Sequence, residues 1–453
     1  RILTNYTPNS MILLSAHTHN AVETLLNRVA RIYEAFCQAT EAVGLTPPAI
    51  AMLKMGGSNT DGEQSTLDNN IEVVEDIPSP SQFKLGLIKP SVKDQVAVIG
   101  GTTAGLLKMF EGLEKKNFSW CRKNLAHGLS TPLLVVDEAS MMVCAHFMAL
   151  ATLLHEDGSI LLAGDHRQLS PIVAHDWESE DRPPAQRFRM HQSAFEAIVG
   201  LLEPDEQARQ LRMRPLPEGT VRRDNLVHTY RLPPAVRHLI QPLYALDGIE
   251  LVGPSTTTTP ALAPGRSPLE QIWCSKHSIY LVLHNEHSSR KVNPLESALI
   301  ERILDIGQAL GNLRDDSTAV LTPHRAQRAR LRHDLAAYDN AVSVIDTVER
   351  LQGNEQDTIL FSATASDPVA IAQITEFILN MQRSNVAFSR TKTRLVVVCA
   401  RTLLDHVPAE LEHYETALLW KFLRSFCRHQ VGTDTMDEHT YEVLVHDRFT
   451  ENI

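Results

Sequence analysis

Two adjacent carboxylates follow an apolar run in the first third of the chain. Residues 133–136 are aliphatic, and Asp137 and Glu138 come directly after them. Because ligands of open parallel sheets bind at the carboxyl ends of strands, a strand here would present both acids to a ligand. Asp137 could hold Mg²⁺ through water, while Glu138 orients and deprotonates a water that attacks a γ-phosphate. The alternative is two solvated acids that favour the dipole of a following helix.

A second strand pattern, at residues 160–163, ends in a polar turn that contains Gly164, Asp165 and Gln168. This turn and the preceding Asp-Glu-Ala-Ser run resemble motifs III and II of the superfamily 1 helicases. The resemblance implies that Gln168 senses the γ-phosphate. It also implies that Asp165 couples the two domains, and we count Asp165 among the nucleotide-binding residues. A glycine-aspartate turn without a function explains the pair poorly.

Two segments of the first half resemble nucleic-acid motifs of the same family. The run at residues 17–22 resembles motif Ia and implies backbone contacts from Thr18 and Asn20. The turn with Thr102 and Thr103 resembles motif Ic, where hydroxyls and amides meet phosphates, as most purely positioning contacts do. Each segment alone also fits a capped turn between a strand and a helix.

The second half continues the motif order. Tyr230 and Arg231 resemble the pair in which the tyrosine packs on adenine and the arginine reaches the γ-phosphate, although Thr229 stands where glutamine is usual. Thr322 and His324 resemble a nucleic-acid motif that usually reads Thr-Pro-Tyr. A histidine there can still stack on a base or donate to a phosphate.

The last two resemblances concern coupling and catalysis. The segment around Gly353 and Glu355 resembles motif V, so we assign both residues to the nucleotide and Thr347, just ahead of them, to nucleic acid. The segment around Arg390 resembles motif VI, and Arg390 is its candidate arginine finger. Loss of such an arginine costs on the order of 10³ to 10⁵ in rate. Alone, the run would be a solvated basic turn.

The ordered set covers nearly the whole chain and resembles the 5′-to-3′ branch, superfamily 1B. That branch contains the RNA-surveillance helicase and the Okazaki-fragment helicase-nuclease, and the histidine-containing motif Ia favours its DNA-acting members. The resemblance implies ATP and Mg²⁺ as cofactors, with Asp137 as the metal residue. It implies single-stranded DNA or RNA as the partner.

Short aliphatic runs followed by polar turns and helix-period segments recur along the chain, which is typical of parallel sheets wrapped by helices. We predict an α/β fold with two RecA-like P-loop NTPase domains, the first truncated at its N-terminus. The predicted parts are a first domain at 1–205 with an insertion at about 38–95, a linker at 206–225, a second domain at 226–430 and an acidic tail at 431–453.

The composition further limits the classes of protein to which the chain can belong. The chain has 453 residues, 43% of them hydrophobic, and a net charge of −11, which excludes a uniformly basic nucleic-acid coat. Binding must therefore come from a local groove, and we predict surface positions for four basic residues: Lys54, Arg222, Arg223 and Arg237. The absence of a long apolar run and of a C-x-x-C pair predicts no membrane role and a cytoplasmic protein, or a nuclear one in a eukaryote.

No G-x-x-x-x-G-K-[ST] loop occurs in the sequence, although the family binds the β- and γ-phosphates with it. We expect that loop just upstream of Arg1, and we expect little ATP hydrolysis from the chain as it stands. The alternatives are a nucleic-acid-binding scaffold without ATPase activity and a translocase that does not separate strands. Nuclease or accessory domains would lie outside this chain.

Overall fold

The computed structural model describes residues 10–47, 49–56, 67–74, 96–109, 130–171, 192–202, 221–254, 260–351 and 355–446. The chain divides into two compact units. The first comprises Arg1–His166 and Ser170–Arg222, and the second comprises Arg167–Leu169 and Arg223–Ile453. None of the described helices is both long and apolar enough to cross a membrane.

The described strands of the first unit form one parallel sheet in the order β3-β2-β4-β1-β5-β6. They are β1 (Ser10–Ala16), β2 (Ile50–Met55), β3 (Ile71–Val74), β4 (Val96–Thr102), β5 (Ser130–Val136) and β6 (Ser159–Leu162). Every residue of β1 is buried. A continuous apolar run of this kind is what a strand covered on both faces requires.

Two of these strands lie in the range that we predicted as an insertion at about 38–95. That prediction was wrong for β2 and β3, which pair with each other, while β2 also pairs with β4. The strand signal of β2 is interrupted by Lys54, a residue that normally marks an exposed position. In the structure Lys54 is fully buried, so the second half of β2 is enclosed from Met52 to Met55.

The described residues of the first unit include the helices α1 (His19–Ala42), α2 (Cys144–Ala151) and α3 (Ala194–Leu202). Helix α1 packs against the sheet so closely that a Cβ on Gly100 would stand 2.6 Å from a methyl carbon of Leu26. Since Leu26 is fully buried there, the glycine of β4 is what allows the helix to approach the strand.

The second unit contains a sheet in the order β12-β13-β7-β11-β10-β8-β9. Its strands are β7 (Ile279–His284), β8 (Thr318–Thr322), β9 (Val342–Thr347), β10 (Gln356–Ser362), β11 (Thr391–Ala400), β12 (His429–Met436) and β13 (His439–Val445). Strands β7 to β11 are parallel, whereas β13 runs antiparallel to β7, and β12 to β13.

The hairpin of β12 and β13 corrects the predicted tail at 431–453. The mixture of polar and apolar residues in this segment led to the prediction of an acidic tail. In the structure, Tyr441, Val443 and Val445 lie in the core of the second unit. An antiparallel strand with one buried and one solvated face needs only every second residue to be apolar. The described part of the tail is therefore the edge of the sheet.

The second unit has ten described helices: α4 (Pro234–Ala245), α5 (Gln271–Cys274), α6 (Pro294–Ala309), α7 (Arg325–Asp334), α8 (Pro368–Gln373), α9 (Thr375–Ile378), α10 (Met381–Ser389), α11 (Arg401–Asp405), α12 (Leu411–Thr416) and α13 (Leu418–Phe426). Helix α6 contributes much of the core through Leu299, Ile300 and Ile303. The predicted α/β class, with parallel sheets and helices, is confirmed.

Candidate nucleotide and nucleic-acid sites

The acid pair lies where the sequence predicts it, directly after an inner strand of the first sheet. The backbone nitrogen of Asp137 donates to the carbonyl of Ser15 at 2.8 Å, which ties the end of β5 to β1. Glu138 follows with φ of 52°, in the left-handed region that L-residues rarely adopt. Its amide donates to Asp137 Oδ1 at 2.9 Å. Strain of this kind in a non-glycine residue is typical of functional sites.

The second acidic turn packs against the first. The amide of Ala139 donates to the carbonyl of Ala163 at 2.8 Å, and a Cβ on Gly164 would stand 2.8 Å from the backbone nitrogen of Ser140. Only glycine allows this approach without a shift of backbone. The structure therefore brings the Asp137–Glu138 turn together with Gly164, and Asp165 follows at once.

The carboxylate of Asp137 is suited to hold Mg²⁺ through water. It is half-buried at the carboxyl end of a strand, and one of its oxygens already accepts the amide of Glu138. Mg²⁺ usually keeps several waters and binds one or two carboxylates together with phosphates, so a single protein ligand suffices.

The predicted nucleic-acid residues of the first unit stand at the carboxyl ends of two neighbouring strands, where Ala16 of β1 pairs in register with Thr102 of β4. The hydroxyl of Thr18 caps α1 by accepting the amide of Ala21 at 3.2 Å, and Thr102 accepts the amide of Gly105 at 3.3 Å. Both hydroxyls thus cap helices, as the alternative interpretation held. Other first-turn amides at a helix start can still contact phosphates.

Asn20 and Thr103 complete the predicted set in this unit. Asn20 is half-buried in the first turn of α1, while Thr103 is 9% exposed at the start of the helical residues 103–109. Neither side chain is placed as openly as a direct phosphate contact would require. They remain predicted residues of this edge.

A buried ion pair supports the same edge of the first sheet, and it was not predicted from the sequence. Lys54 Nζ contacts Glu23 Oε1, and the two residues are 0% and 5% exposed. Burial, and then the charge of Lys54, lowers the pKa of neighbouring His19. We predicted Lys54 at the surface, but a lysine with a buried carboxylate partner can be fully enclosed. The spacing of 31 residues along the chain offers no signal for this pairing.

Two of the other three basic residues lie at the surface. Arg222 and Arg223 are exposed, as predicted, whereas Arg237 is buried and donates to the carbonyl of Pro254 at 3.2 Å. A Cβ on Gly253 would lie 2.3 Å from the Arg237 guanidinium, so this stretch of chain closes over it. Arg237 is therefore a structural residue of the second unit.

In the second unit the predicted nucleotide residues form two small clusters. In the first, Arg231 Nη1 donates to Glu355 Oε1 at 2.6 Å, and Lys392 Nζ lies 3.7 Å from Glu355 Oε2. Tyr230 is 85% exposed, which leaves its ring available to pack on a base. Gly353 lies outside the described residues.

The second cluster joins the predicted γ-phosphate sensor to the predicted arginine finger. Arg390 Nη2 donates to Gln168 Oε1 at 3.1 Å. The segment that carries Gln168 is held by Asn385, whose Nδ2 donates to the carbonyl of Arg167 at 2.8 Å, and by two bonds from Arg167 to Asp247 at 2.7 and 2.8 Å. All five residues belong to the second unit.

The nucleic-acid residues predicted in this unit lie together but are buried. Thr322 and Thr347 are register partners at the ends of β8 and β9 and are 0% and 9% exposed. His324 is 8% exposed, and burial, together with Lys291 and Arg383, lowers its pKa to about 4. The ring of His324 is therefore neutral near pH 7 and is not itself open to a base.

A buried carboxylate, not predicted from the sequence, organises this edge. Glu296 is 0% exposed and its Oε2 accepts Ser362 Oγ at 2.5 Å and the amide of Thr364 at 2.8 Å. Its Oε1 lies 3.2 Å from His284 Nε2. Thr364 has φ of 73°, an outlier for a β-branched residue, and its hydroxyl lies 2.9 Å from that of Thr322. Glu296 thus fixes the position of Thr322 through Thr364.

A second buried carboxylate closes the neighbouring loop. Glu286 accepts the amide of Ser288 at 2.6 Å, Asn293 Nδ2 at 3.0 Å and Ser366 Oγ at 2.5 Å. Burial alone would raise the pKa of Glu286, but the hydrogen bonds from Ser366 and Ser288 outweigh it and lower the pKa to about 2. The sequence signal was weak: Asn293 and Glu296 match the spacing of a helix start and say nothing of burial.

Comparison with known proteins agrees with the motif order. A family model described as an AAA domain matches residues 266–402. The chain is 23% identical over 405 residues to the DNA replication ATP-dependent helicase/nuclease JHS1 of Arabidopsis thaliana, covering 88% of this chain and 26% of that protein. It is also 23% identical over 292 residues to human probable helicase senataxin, covering 62% of this chain and 10% of that protein.

Among solved structures, the chain is similar to an arterivirus nonstructural protein 10 helicase in complex with DNA, with a TM-score of 0.35 and 12% identity. That match covers 88% of this chain and 55% of the viral chain. The chain spans about a quarter or less of the two curated relatives. The domain match and the named helicases among the relatives agree with the motif order found in the sequence.

Proposed function

We propose that this chain carries the motor core of an ATP-dependent helicase or translocase that moves on single-stranded nucleic acid, with DNA slightly favoured. The observation that supports this most is the left-handed Glu138 after β5, packed beside a glycine that no other residue could replace without a backbone shift. A solvated acid pair at a helix start would need neither feature.

The proposed chemistry assigns one task to each group. Asp137 holds Mg²⁺ through water, and the ion neutralises phosphate charge when it is bound. Glu138 orients the attacking water and accepts its proton. Tyr230 packs on the adenine. Arg231 and Arg390 stabilise the charge that develops on the γ-phosphate, with Gln168 beside Arg390 as its sensor.

In each unit, the proposed contacts with nucleic acid lie at the carboxyl edge of that unit's own sheet. The first unit offers helix starts near Thr18 and Thr102, and the second offers the edge after β8 and β9. Because these contacts go mainly to phosphates, affinity should fall steeply as salt rises. The DNA replication helicase among the relatives supports DNA as the first track to test.

The test uses the protein expressed from its complete gene, so that any residues ahead of Arg1 are included. ATP hydrolysis is measured alone, with single-stranded DNA and with single-stranded RNA, for the wild type, Glu138→Gln and Arg390→Ala. We expect stimulation by one polymer, and a loss of turnover on the order of 10³-fold or more in both variants.

Each outcome has one meaning. Stimulated hydrolysis that both variants abolish supports the motor and names its track. Polynucleotide binding without hydrolysis under any condition supports the scaffold instead. A strand-separation assay with a forked duplex then divides helicase from translocase.

A further inference from the structure

We propose that Phe377 provides a base-stacking surface in the second unit, at the edge where the sequence suggested His324 for that role. This inference rests on the proposed nucleic-acid function and adds a residue that no motif contains. The ligand it would take is an unpaired nucleobase of single-stranded DNA or RNA.

Phe377 is the exposed member of a small aromatic and cationic cluster. It lies on α9, and the residue is 38% exposed. Its ring centroid is 5.2 Å from that of buried His324, at an interplanar angle of 38°. The guanidinium carbon of Arg383 lies 4.3 Å from the Phe377 centroid. Arg383 therefore lies over one face of the ring and His324 packs against the ring, while the residue keeps 38% of its surface exposed.

The support itself is fixed by hydrogen bonds. Arg383 Nε donates to Glu349 Oε1 at 2.7 Å, and Arg383 Nη1 donates to the backbone carbonyl of Phe377 at 2.7 Å. Because the cation and the ring are both held before any ligand arrives, a base that stacks there immobilises few new rotors. A single exposed apolar residue needs no explanation, but a rigidly supported aromatic beside a cation suits base stacking.

Basic residues lie near Phe377, although the whole chain has a net charge of −11. Lys291 and Arg383 both lie close enough to His324 to lower its pKa. Lys291 is exposed, and so is Arg325, which directly follows His324. Two acids accompany these cations: Glu376, which precedes Phe377 in the sequence and is exposed, and Glu349, which pairs with Arg383. Cations near an aromatic surface are the combination that single-strand binding sites use for phosphates and bases.

The same geometry favours single strands over duplex. A base offers its π face only when it is unstacked, and every base has such a face, so the site should tolerate any sequence. The neutral ring of His324 contributes packing beneath Phe377 and no charge. We therefore assign the base contact that the sequence predicted for His324 to Phe377, which packs against His324.

The test measures the affinity of the full-length protein for fluorescein-labelled oligo-dT and oligo-U by anisotropy. Phe377→Leu keeps the apolar volume but removes the π face, and Phe377→Trp keeps a π face. The matched control is Tyr414→Leu, since Tyr414 is also 38% exposed but lies on α12 among glutamates. We expect Phe377→Leu to weaken binding roughly 5- to 100-fold. Phe377→Trp and Tyr414→Leu should bind like the wild type.

A second readout locates the contact. An oligo-dT with one 5-iodouracil, irradiated in complex with the wild type, should crosslink to Phe377. Wild-type affinity in Phe377→Leu, or an equal loss in Tyr414→Leu, would overturn the inference. Failure of the wild type to bind either oligonucleotide would instead reject the proposed function itself, so the two failures are distinct. Thermal unfolding of each variant checks that the fold is intact.

Discussion

Gly164 and Ser140 belong to different turns, yet a Cβ on Gly164 would stand 2.8 Å from the Ser140 nitrogen. Gly164→Ala must therefore shift the backbone that carries Asp137 and Glu138. We expect ATP turnover to fall at least about tenfold, since small displacements of positioned groups cost about 10²-fold in rate. Steady-state hydrolysis with single-stranded DNA measures it.

The control for this change is Gly158→Ala, at the other end of β6. A Cβ there would also meet backbone, the His155 carbonyl oxygen at 2.9 Å. We expect this variant to lose stability while turnover per folded molecule is unchanged. Wild-type turnover in Gly164→Ala would show that the close approach has no bearing on catalysis.

Replacement of Lys54 should destabilise the first unit. Lys54→Met leaves the carboxylate of Glu23 buried without its partner, which costs about 3–5 kcal/mol in comparable pairs. The double change Lys54→Met with Glu23→Leu should recover most of that loss, because no buried charge remains. Urea unfolding gives both values. Exposed Lys108→Met serves as control and should stay within about 0.5 kcal/mol of the wild type.

Removal of the Glu296 carboxylate should loosen the edge that holds Thr322. Glu296→Ala leaves Ser362 Oγ and the Thr364 amide without their buried acceptor, and we expect a loss of about 3–5 kcal/mol. Denaturant unfolding measures it, with exposed Gln308→Ala on the same helix as control. A loss below about 1 kcal/mol would mean that the network contributes little, as a net hydrogen bond often does.

Acid should weaken the second unit through Glu286. Its folded-state pKa of about 2 lies below the ordinary value near 4.3, so its contribution is complete above about pH 4.3 and is lost as the pH falls through about 2. That contribution is on the order of 3 kcal/mol.

The measurement compares the unfolding free energy of the wild type with that of Glu286→Gln from about pH 5 to about pH 2.5. The difference in unfolding free energy between the wild type and Glu286→Gln should become smaller as the pH falls. Exposed Glu376→Gln provides the control and should change little across this range. A difference that stays constant or becomes larger at lower pH would contradict the lowered pKa of Glu286.

The sequence alone indicated most of the inner strands and the residues that follow them, although it missed the inner strands β2 and β13. Aliphatic runs and turn residues are local signals, so the strand before Asp137 and the turn at Gly164 could be read directly from it. The ordered motifs also placed Gln168 and Arg390 in one family scheme, and the structure has them in contact at 3.1 Å.

Only the tertiary structure decided which polar residues are enclosed. Lys54 and Glu23 are separated by 31 residues, and Glu296 and Thr364 by 68, so their burial depends on partners that no local pattern reveals. The same holds for His324, which the sequence presents as a site residue and which Phe377 covers. Hydrophobic periodicity indicates which face of a helix or strand is buried, because that pattern lies within the local sequence. A buried charge is stable only when it has a partner, and here the partner is distant in sequence.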